Sequence, residues 1–231
     1  MIAVICAMAE ERDALLKLCS DVKVKKGDKI FYHGESLDNE YYFAKIGDKE
    51  IIITRCGVGL VYAAIMTTLL IKKYKPELVI NLGVAGSLNP DVHVNDIVSA
   101  DRICNWRVDV PGWNRNIDSK IFAFSCDEKI NRMIKKHHRK VKVGNMVSGD
   151  EFIYKRSQTR EILKYYPDAL CGEMEGAGIA NTCYSFGVRC SIIRSISDET
   201  LINGNYRQFD FNLEKACDTA ARLCYDIVER C

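Results

Sequence analysis

Leu78-Val79-Ile80-Asn81-Leu82 runs straight into Gly83-Val84-Ala85-Gly86-Ser87, and this stretch decides the fold. A short apolar run bounded by small residues reads as a strand buried on both faces, as in a sheet covered by helices on two sides. The small residues after it read as a loop whose backbone N–H groups a ligand can approach closely, so that it floors a pocket. Three other apolar runs end in a similar way. Ile2-Ala3-Val4-Ile5-Cys6-Ala7-Met8 gives way to Ala9-Glu10-Glu11, which puts Glu11 just past a strand end. Leu170-Cys171-Gly172 leads into Glu173-Met174-Glu175-Gly176, and Ser191-Ile192-Ile193 leads through Arg194-Ser195-Ile196-Ser197 to Asp198. In open α/β sheets ligands collect at the carboxyl ends of strands. An Asp held there in partly apolar surroundings has its pKa raised and can protonate a leaving group. A lone strand-end Asp is more often a turn or capping residue; the other segments give this one its weight.

Strand-like and helical runs alternate along the chain. This predicts an α/β fold: one domain over residues 1–231, a three-layer sandwich with a mixed β-sheet flanked by helices. Residues 41–46 and 50–54 flank Gly47-Asp48-Lys49 as a hairpin, so part of the sheet is antiparallel. Residues 61–74 form an apolar helix that closes on Lys72, Lys73, Lys75 and Pro76; a helix so apolar has surface to bury against a second subunit. Further strands are expected at 96–100, 141–147, 170–174 and 188–196, and further helices at 175–186 and 211–229. Gly57-Val58-Gly59 lacks the third glycine of a dinucleotide fingerprint and reads as a tight strand-to-helix turn.

Lys and Arg total 33 against 31 Asp and Glu, a balance that exerts no general pull toward nucleic acid or an anionic membrane. The basic cluster Arg132, Lys135, Lys136, His137, His138, Arg139, Lys140 and Lys142 has no interleaved aromatics and reads as a solvated helix end. Eleven cysteines with four histidines and no Cys-x-x-Cys pair indicate neither a zinc cage nor a disulfide framework, so reduced thiols are expected, with no metal and no cofactor. Cys217, Cys224 and Cys231 recur every seven residues with Leu213, Ala220 and Ile227, as the buried stripe of a C-terminal helix. Ala7-Met8-Ala9 has the look of a signal cleavage site but no basic leader precedes it, and no run approaches the ~20 residues of a membrane span. A cytoplasmic protein acting on a small molecule is the expectation.

Six segments in register, Ala7-Met8-Ala9-Glu10-Glu11, Gly57-Val58-Gly59, Asn81-Leu82-Gly83-Val84-Ala85-Gly86, Val147-Ser148-Gly149-Asp150-Glu151-Phe152, Glu173-Met174-Glu175 and Arg194-Ser195-Ile196-Ser197-Asp198, carry a resemblance over nearly the whole chain. It is to the nucleoside phosphorylase and nucleosidase superfamily, and within it to the bacterial 5'-methylthioadenosine/S-adenosylhomocysteine nucleosidases. The resemblance implies cleavage by water of the N-glycosidic bond between adenine and a 5'-thio-substituted ribose. Asp198 would protonate purine N7; Glu11 would orient or deprotonate the water, with Arg194 reaching toward it. Glu175 would accept hydrogen bonds from the ribose hydroxyls, since an ionised carboxylate only accepts, and Met174 would pack on the sugar. Glu173 and Ser197 come with the same motifs. Phe152 would stack on adenine while backbone groups at Ile153 read its edge. Met8, Val58 and Phe209 would line an apolar slot for the 5'-substituent, with Val110 and Trp113 entering from the second subunit of a homodimer.

Residue chemistry keeps plainer readings beside these. Asp198 could be salt-bridged to Arg194, Glu11 and the Glu173–Glu175 acids could be helix-N-terminal acids, and Phe152 and Trp113 could be core or interface anchors. The chain also departs from the pattern it resembles. Val84 stands where those nucleosidases usually carry a Ser, Leu60 where they carry a Lys, and Trp106-Arg107 where they carry His-Asp. A phosphorolytic relative using Arg55 or Arg194 to hold phosphate is the competing enzyme reading, although an acid at Glu11 would repel the anion. A catalytically silent nucleoside-binding protein is the competing reading outside enzymes.

Overall fold

The computed structural model describes residues 1–27, 30–32, 35–37, 40–112, 122–202 and 204–231. In chain order its elements are β1 (Ile2–Cys6), α1 (Ala9–Leu16), β2 (Ser20–Lys26), β3 (Ile30–Tyr32), β4 (Glu35–Leu37), β5 (Glu40–Ile46), β6 (Lys49–Arg55), α2 (Leu60–Tyr74), β7 (Leu78–Ser87) and β8 (Ile97–Asn105). They continue with β9 (Ala123–Ser125), α3 (Glu128–His137), β10 (Lys142–Ser148), α4 (Arg156–Tyr165), β11 (Ala169–Glu173), α5 (Gly176–Ser185), β12 (Arg189–Glu199) and α6 (Asn205–Arg230).

The main sheet runs β11-β10-β8-β12-β7-β1-β6-β5-β2, with β9 beside β8. β1 is parallel to both β6 and β7, while β5 is antiparallel to β6 through the hairpin at Gly47-Asp48. The expected mixed sheet is thus present. Each residue of β1 is buried, and the strand's two faces serve different layers. Ala3 and Ile5 pack with α2 and α5 through Met66, Leu70, Ile179 and Cys183. Ile2, Val4 and Cys6 pack with α1 and α6 through Leu15, Ala220, Cys224 and Ile227. Alternation of side chains along a strand places both sets at once, and makes the three layers.

One end of the sheet closes on itself. β7 pairs with β12 in parallel and, at Gly86 and Ser87, with β11 in antiparallel, so β11, β10, β8, β12 and β7 form a ring. This is the reason Gly83–Ser87 is strand where the sequence reads as a loop: Gly83 to Ser87 stay paired with Arg194 to Glu199. The glycines there serve close packing. A β-carbon on Gly83 would lie 2.6 Å from Glu11 Oε1, and one on Gly86 would lie 2.8 Å from Thr200 Cγ2.

Two further differences follow from tertiary context. α6 begins at Asn205, six residues before its expected start, after Gly204 in a left-handed turn (φ 78°). Cys217 and Cys224 lie in its buried stripe, but Cys231 is exposed because the helix has ended. The basic cluster does fall at the end of α3, with Lys135, Lys136 and His137 in its last turn. Among the described residues no helix is long and apolar enough to cross a membrane, and no cluster of three His, Cys, Asp or Glu is placed to hold a metal.

Candidate active site

A cavity of about 360 Å³ opens where β1, β7, β11 and β12 end, within the range of small-molecule sites. Its wall includes Met8, Glu11, Val58, Val84, Phe152 and Ile153, together with Glu173, Met174, Glu175, Ser197, Asp198 and Phe209. Seven separate stretches of the chain therefore meet in one place. Arg194 does not line the cavity, and Val110, half-buried beyond β8, does not line the cavity of its own chain. Trp113 lies outside the described residues. Ala85 and Gly86 line it, as expected of the pocket-floor segment, and residues given no role in the sequence reading also face it: Ala7, Glu151, Gly172 and Thr200. Most are small, and nothing in their chemistry marks them; the β7–β11 closure brings in Gly172.

Glu11 sits in the first turn of α1 and is buried. Its Oε2 accepts from the backbone N–H of Ala7 at 2.8 Å and of Met8 at 3.0 Å, and its Oε1 accepts from Val84 N–H at 3.1 Å. The reach back to Met8, the residue capping α1, is half of a capping box. Burial raises the carboxyl above its ordinary range, against the lowering exerted by the Arg194 charge and the three backbone donors. A carboxyl held on three N–H groups has one orientation, and the contact through Val84 is made by the main chain, so it does not depend on the side chain there.

Arg194 does not hydrogen-bond to Glu11, which corrects the expectation that it aims that carboxylate. Its Nη2 pairs with Glu173 Oε2 and donates to Asn81 Oδ1 at 2.5 Å; Nη1 donates to the carbonyls of Asn81 and Ile193 at 3.2 and 3.1 Å. Glu175 Oε2 lies 3.9 Å away. Burial alone would lower the guanidinium, but Glu173, Glu175 and Glu11 together hold it above its ordinary range. Arg194 is thus the buried counter-charge of the site rather than an arm reaching a ligand. The reason is position: on β12 it lies opposite Gly83, between Asn81 and the end of β11.

Glu173 has little left to offer a ligand. Besides Arg194 it accepts from the backbone N–H of Glu175 and Gly176 at 3.0 and 2.8 Å and from the Ser148 hydroxyl, which itself accepts from Ala177 N–H. It ties the start of α5 to β10, and so sets Glu175 in place. Glu175 caps α5, and its Oε1 accepts from Gly59 N–H at 3.0 Å at the start of α2. Burial first, and then the neighbouring Glu173, push its carboxyl up to about 8.

Asp198 lies near the end of β12, beyond a bulge at Ser197 that breaks the register with β7. A bulge turns a side chain out of the strand's alternation, here into the cavity. Burial raises the Asp198 carboxyl, against the lowering by hydrogen bonds from Asn205 and Ser197. The salt bridge to Arg194 is not formed: Oδ2 accepts from Asn205 Nδ2 at 2.6 Å and Oδ1 from Ser197 Oγ at 2.7 Å. Phe152 and Phe209 meet edge to face across the wall, their ring centroids 5.4 Å apart. The Trp106-Arg107 departure builds part of the rim. Trp106 is buried under the Arg107 guanidinium, 3.9 Å from its ring, and Arg107 pairs with Glu151 at 2.5 Å.

Comparison with known proteins shows the family. The family described as the phosphorylase superfamily matches residues 1–229. A 5'-methylthioadenosine/S-adenosylhomocysteine nucleosidase of Staphylococcus aureus is 35% identical over 199 residues, covering 83% of this chain and 86% of its own. The crystal structure of the Neisseria meningitidis nucleosidase of the same name, in complex with methylthio-immucillin-A, superposes with a TM-score of 0.88 at 28% identity, covering 100% of this chain and 99% of that one. An aspartate-to-asparagine mutant of the Helicobacter pylori enzyme with 5'-methylthioadenosine in its active site superposes at 0.84 and 28% identity, covering 100% and 98%.

Proposed function

Because the chain belongs to the phosphorylase superfamily, and within it to the 5'-methylthioadenosine/S-adenosylhomocysteine nucleosidases, we infer that it is an N-glycosyl hydrolase. It cleaves 5'-methylthioadenosine or S-adenosylhomocysteine to adenine and a 5-thio-substituted ribose. The observation that carries this reading is the charge balance of the cavity: Glu11, Glu173 and Glu175 are buried around one buried cation, Arg194. As the glycosidic bond breaks, positive charge grows on the ribose; that charge draws the buried carboxyls beside it toward their ionised form, and the site favours this state over the neutral substrate.

Glu11 takes a proton from the attacking water while the oxygen adds to C1' of the sugar. Asp198, whose carboxyl burial raises, gives its proton to purine N7 as the base takes the bonding pair. Glu175 accepts from the ribose hydroxyls, Met174 packs on the sugar, and Phe152 stacks on adenine beside the Ile153 backbone. Met8, Val58 and Phe209 form the apolar end for the 5'-thio group. Water is favoured over phosphate because both terminal nitrogens of Arg194 are already engaged and Arg55 does not line the cavity. With 5'-methylthioadenosine and no phosphate, adenine and free 5-methylthioribose form in equal amounts. A requirement for phosphate, or a ribose 1-phosphate product, contradicts the hydrolase.

Val84 lines the cavity where a hydroxyl is usual among the proteins this chain resembles. Its backbone already serves Glu11, so Val84→Ser restores only the side-chain hydrogen bond, worth about 0.5 to 1.5 kcal/mol. Catalytic efficiency on 5'-methylthioadenosine rises by roughly two- to tenfold. A folded variant with unchanged or lower efficiency would show that the loss of the hydroxyl is compensated elsewhere.

A homodimer accounts for the apolar side chains that α2 and α5 leave in solvent, Val61, Ile65, Tyr184 and Phe186, and Val110 would reach the site from that partner. The free state of all eleven cysteines fits a reducing, cytoplasmic setting. The near balance of charge gives no reason to expect a nucleic-acid or membrane partner.

A further inference from the structure

The two carboxyl oxygens of Asp198 have different neighbours. Ser197 Oγ donates to Oδ1 and also lies 3.3 Å from the Ala85 carbonyl. Asn205, the fully buried first residue of α6, donates from Nδ2 to Oδ2 and to the Ile153 carbonyl at 2.8 Å. Its own Oδ1 is buried without a partner among the described residues. That fixes the amide's orientation, since turning it over would set its oxygen against two other oxygens. An amide nitrogen only donates, so Oδ2 has to accept. A hydroxyl can reverse: Ser197 can turn its hydrogen to Ala85 and accept from a protonated Oδ1. Oδ2 is also walled in, since a β-carbon on Gly86 would lie 3.1 Å from it.

We propose that Asn205 is a positioning residue for the acid, which holds Asp198 Oδ2 as an obligate acceptor and so confines the transferable proton to Oδ1, the oxygen shared with Ser197. The proposal rests on the nucleosidase reading in taking Asp198 as the acid. In the reaction the Oδ1–H bond breaks, its proton passes to the base, and the base takes the electron pair of the C1'–N bond. The carboxylate left behind is held by Asn205 at Oδ2 and by Ser197, whose hydroxyl swings back to Oδ1. No charged side chain pairs with Asp198 among the described residues. The ionisable groups that line the cavity with it are Glu11 on α1, Glu151 after β10, and Glu173 and Glu175 at the end of β11, and Glu199 follows it on β12.

Infrared titration tests this without relying on turnover. The carboxylic-acid band of Asp198 is assigned as the band lost in Asp198→Asn, and its midpoint is followed in the wild type, Asn205→Ala and Asn205→Asp. Removing one donor to the carboxylate raises the midpoint in Asn205→Ala by about one to two pH units. The reaction needs the protonated acid and fails as pH rises through its pKa, so the alkaline limb of kcat moves up by the same amount while kcat at neutral pH falls. Asn205→Asp has nearly the native shape and serves if the alanine variant does not fold; its carboxyl shares one proton with Asp198, and the midpoint again moves up. A midpoint and an alkaline limb at their wild-type positions in the folded variants would overturn the proposal. A wild type that shows the band but releases no adenine from any nucleoside counts against the hydrolase reading, while the infrared midpoints still decide the role of Asn205.

Discussion

Asp198→Asn is expected to fold with an unchanged melting temperature, bind 5'-methylthioadenosine and lose turnover by about 10²- to 10⁴-fold, the range of a general acid. The surroundings tolerate the change: the introduced amide can turn its oxygen to Asn205 Nδ2 and its nitrogen to Ser197 Oγ, so both neighbours stay paired. What is lost is the proton. The loss therefore depends on the leaving group. A synthetic nucleoside whose base departs readily is partly spared in Asp198→Asn, whereas Glu11→Gln, which impairs the water, slows both substrates. Equal losses on both substrates in Asp198→Asn would remove Asp198 from the acid role.

Arg194→Met is expected to be the most destabilising single change at the site. It fills similar space but leaves Glu173 and Glu175 buried without their counter-charge, and breaking a buried pair in this way costs about 3–5 kcal/mol. The cost depends on pH with a definite sign. Without Arg194 the buried carboxyls bind protons more tightly in the folded chain than in the unfolded one, so stability falls as pH rises above the ordinary carboxylate range, and the variant is most stable in mild acid. Thermal melts from pH 5 to 8 check this. A variant as stable as the wild type at pH 8 would mean that Arg194 is not the counter-charge of the acids.

The strands and the chemistry were largely legible in the sequence, because buried strands read as apolar runs and the acids stand at their ends. Leu78–Ser87, Arg189–Glu199 and the hairpin of Glu40–Ile46 with Lys49–Arg55 lie close to where the pattern puts them. What was not legible depends on long-range pairing. Gly83-Val84-Ala85-Gly86 has the composition of a loop and is a strand only because β12 runs alongside it. The partner of Arg194 could not be read from spacing either: Glu11 and Glu173 both end up near it, and the register of β12 on β7 sets the pair with Glu173. Asn205 lay before the expected helix start and had no motif; only the early start of α6 brings it under Asp198.

Turnover in water enriched in ¹⁸O, with purified protein and 5'-methylthioadenosine in phosphate-free buffer, tests the central claim most directly. Hydrolysis directed by Glu11 puts one solvent oxygen at C1 of each 5-methylthioribose formed, seen by mass spectrometry of the sugar trapped by reduction before its anomeric oxygen exchanges, and Glu11→Gln slows that incorporation in step with adenine release. Absence of label at C1, or release of adenine only when phosphate is present with the sugar recovered as its 1-phosphate, would contradict it.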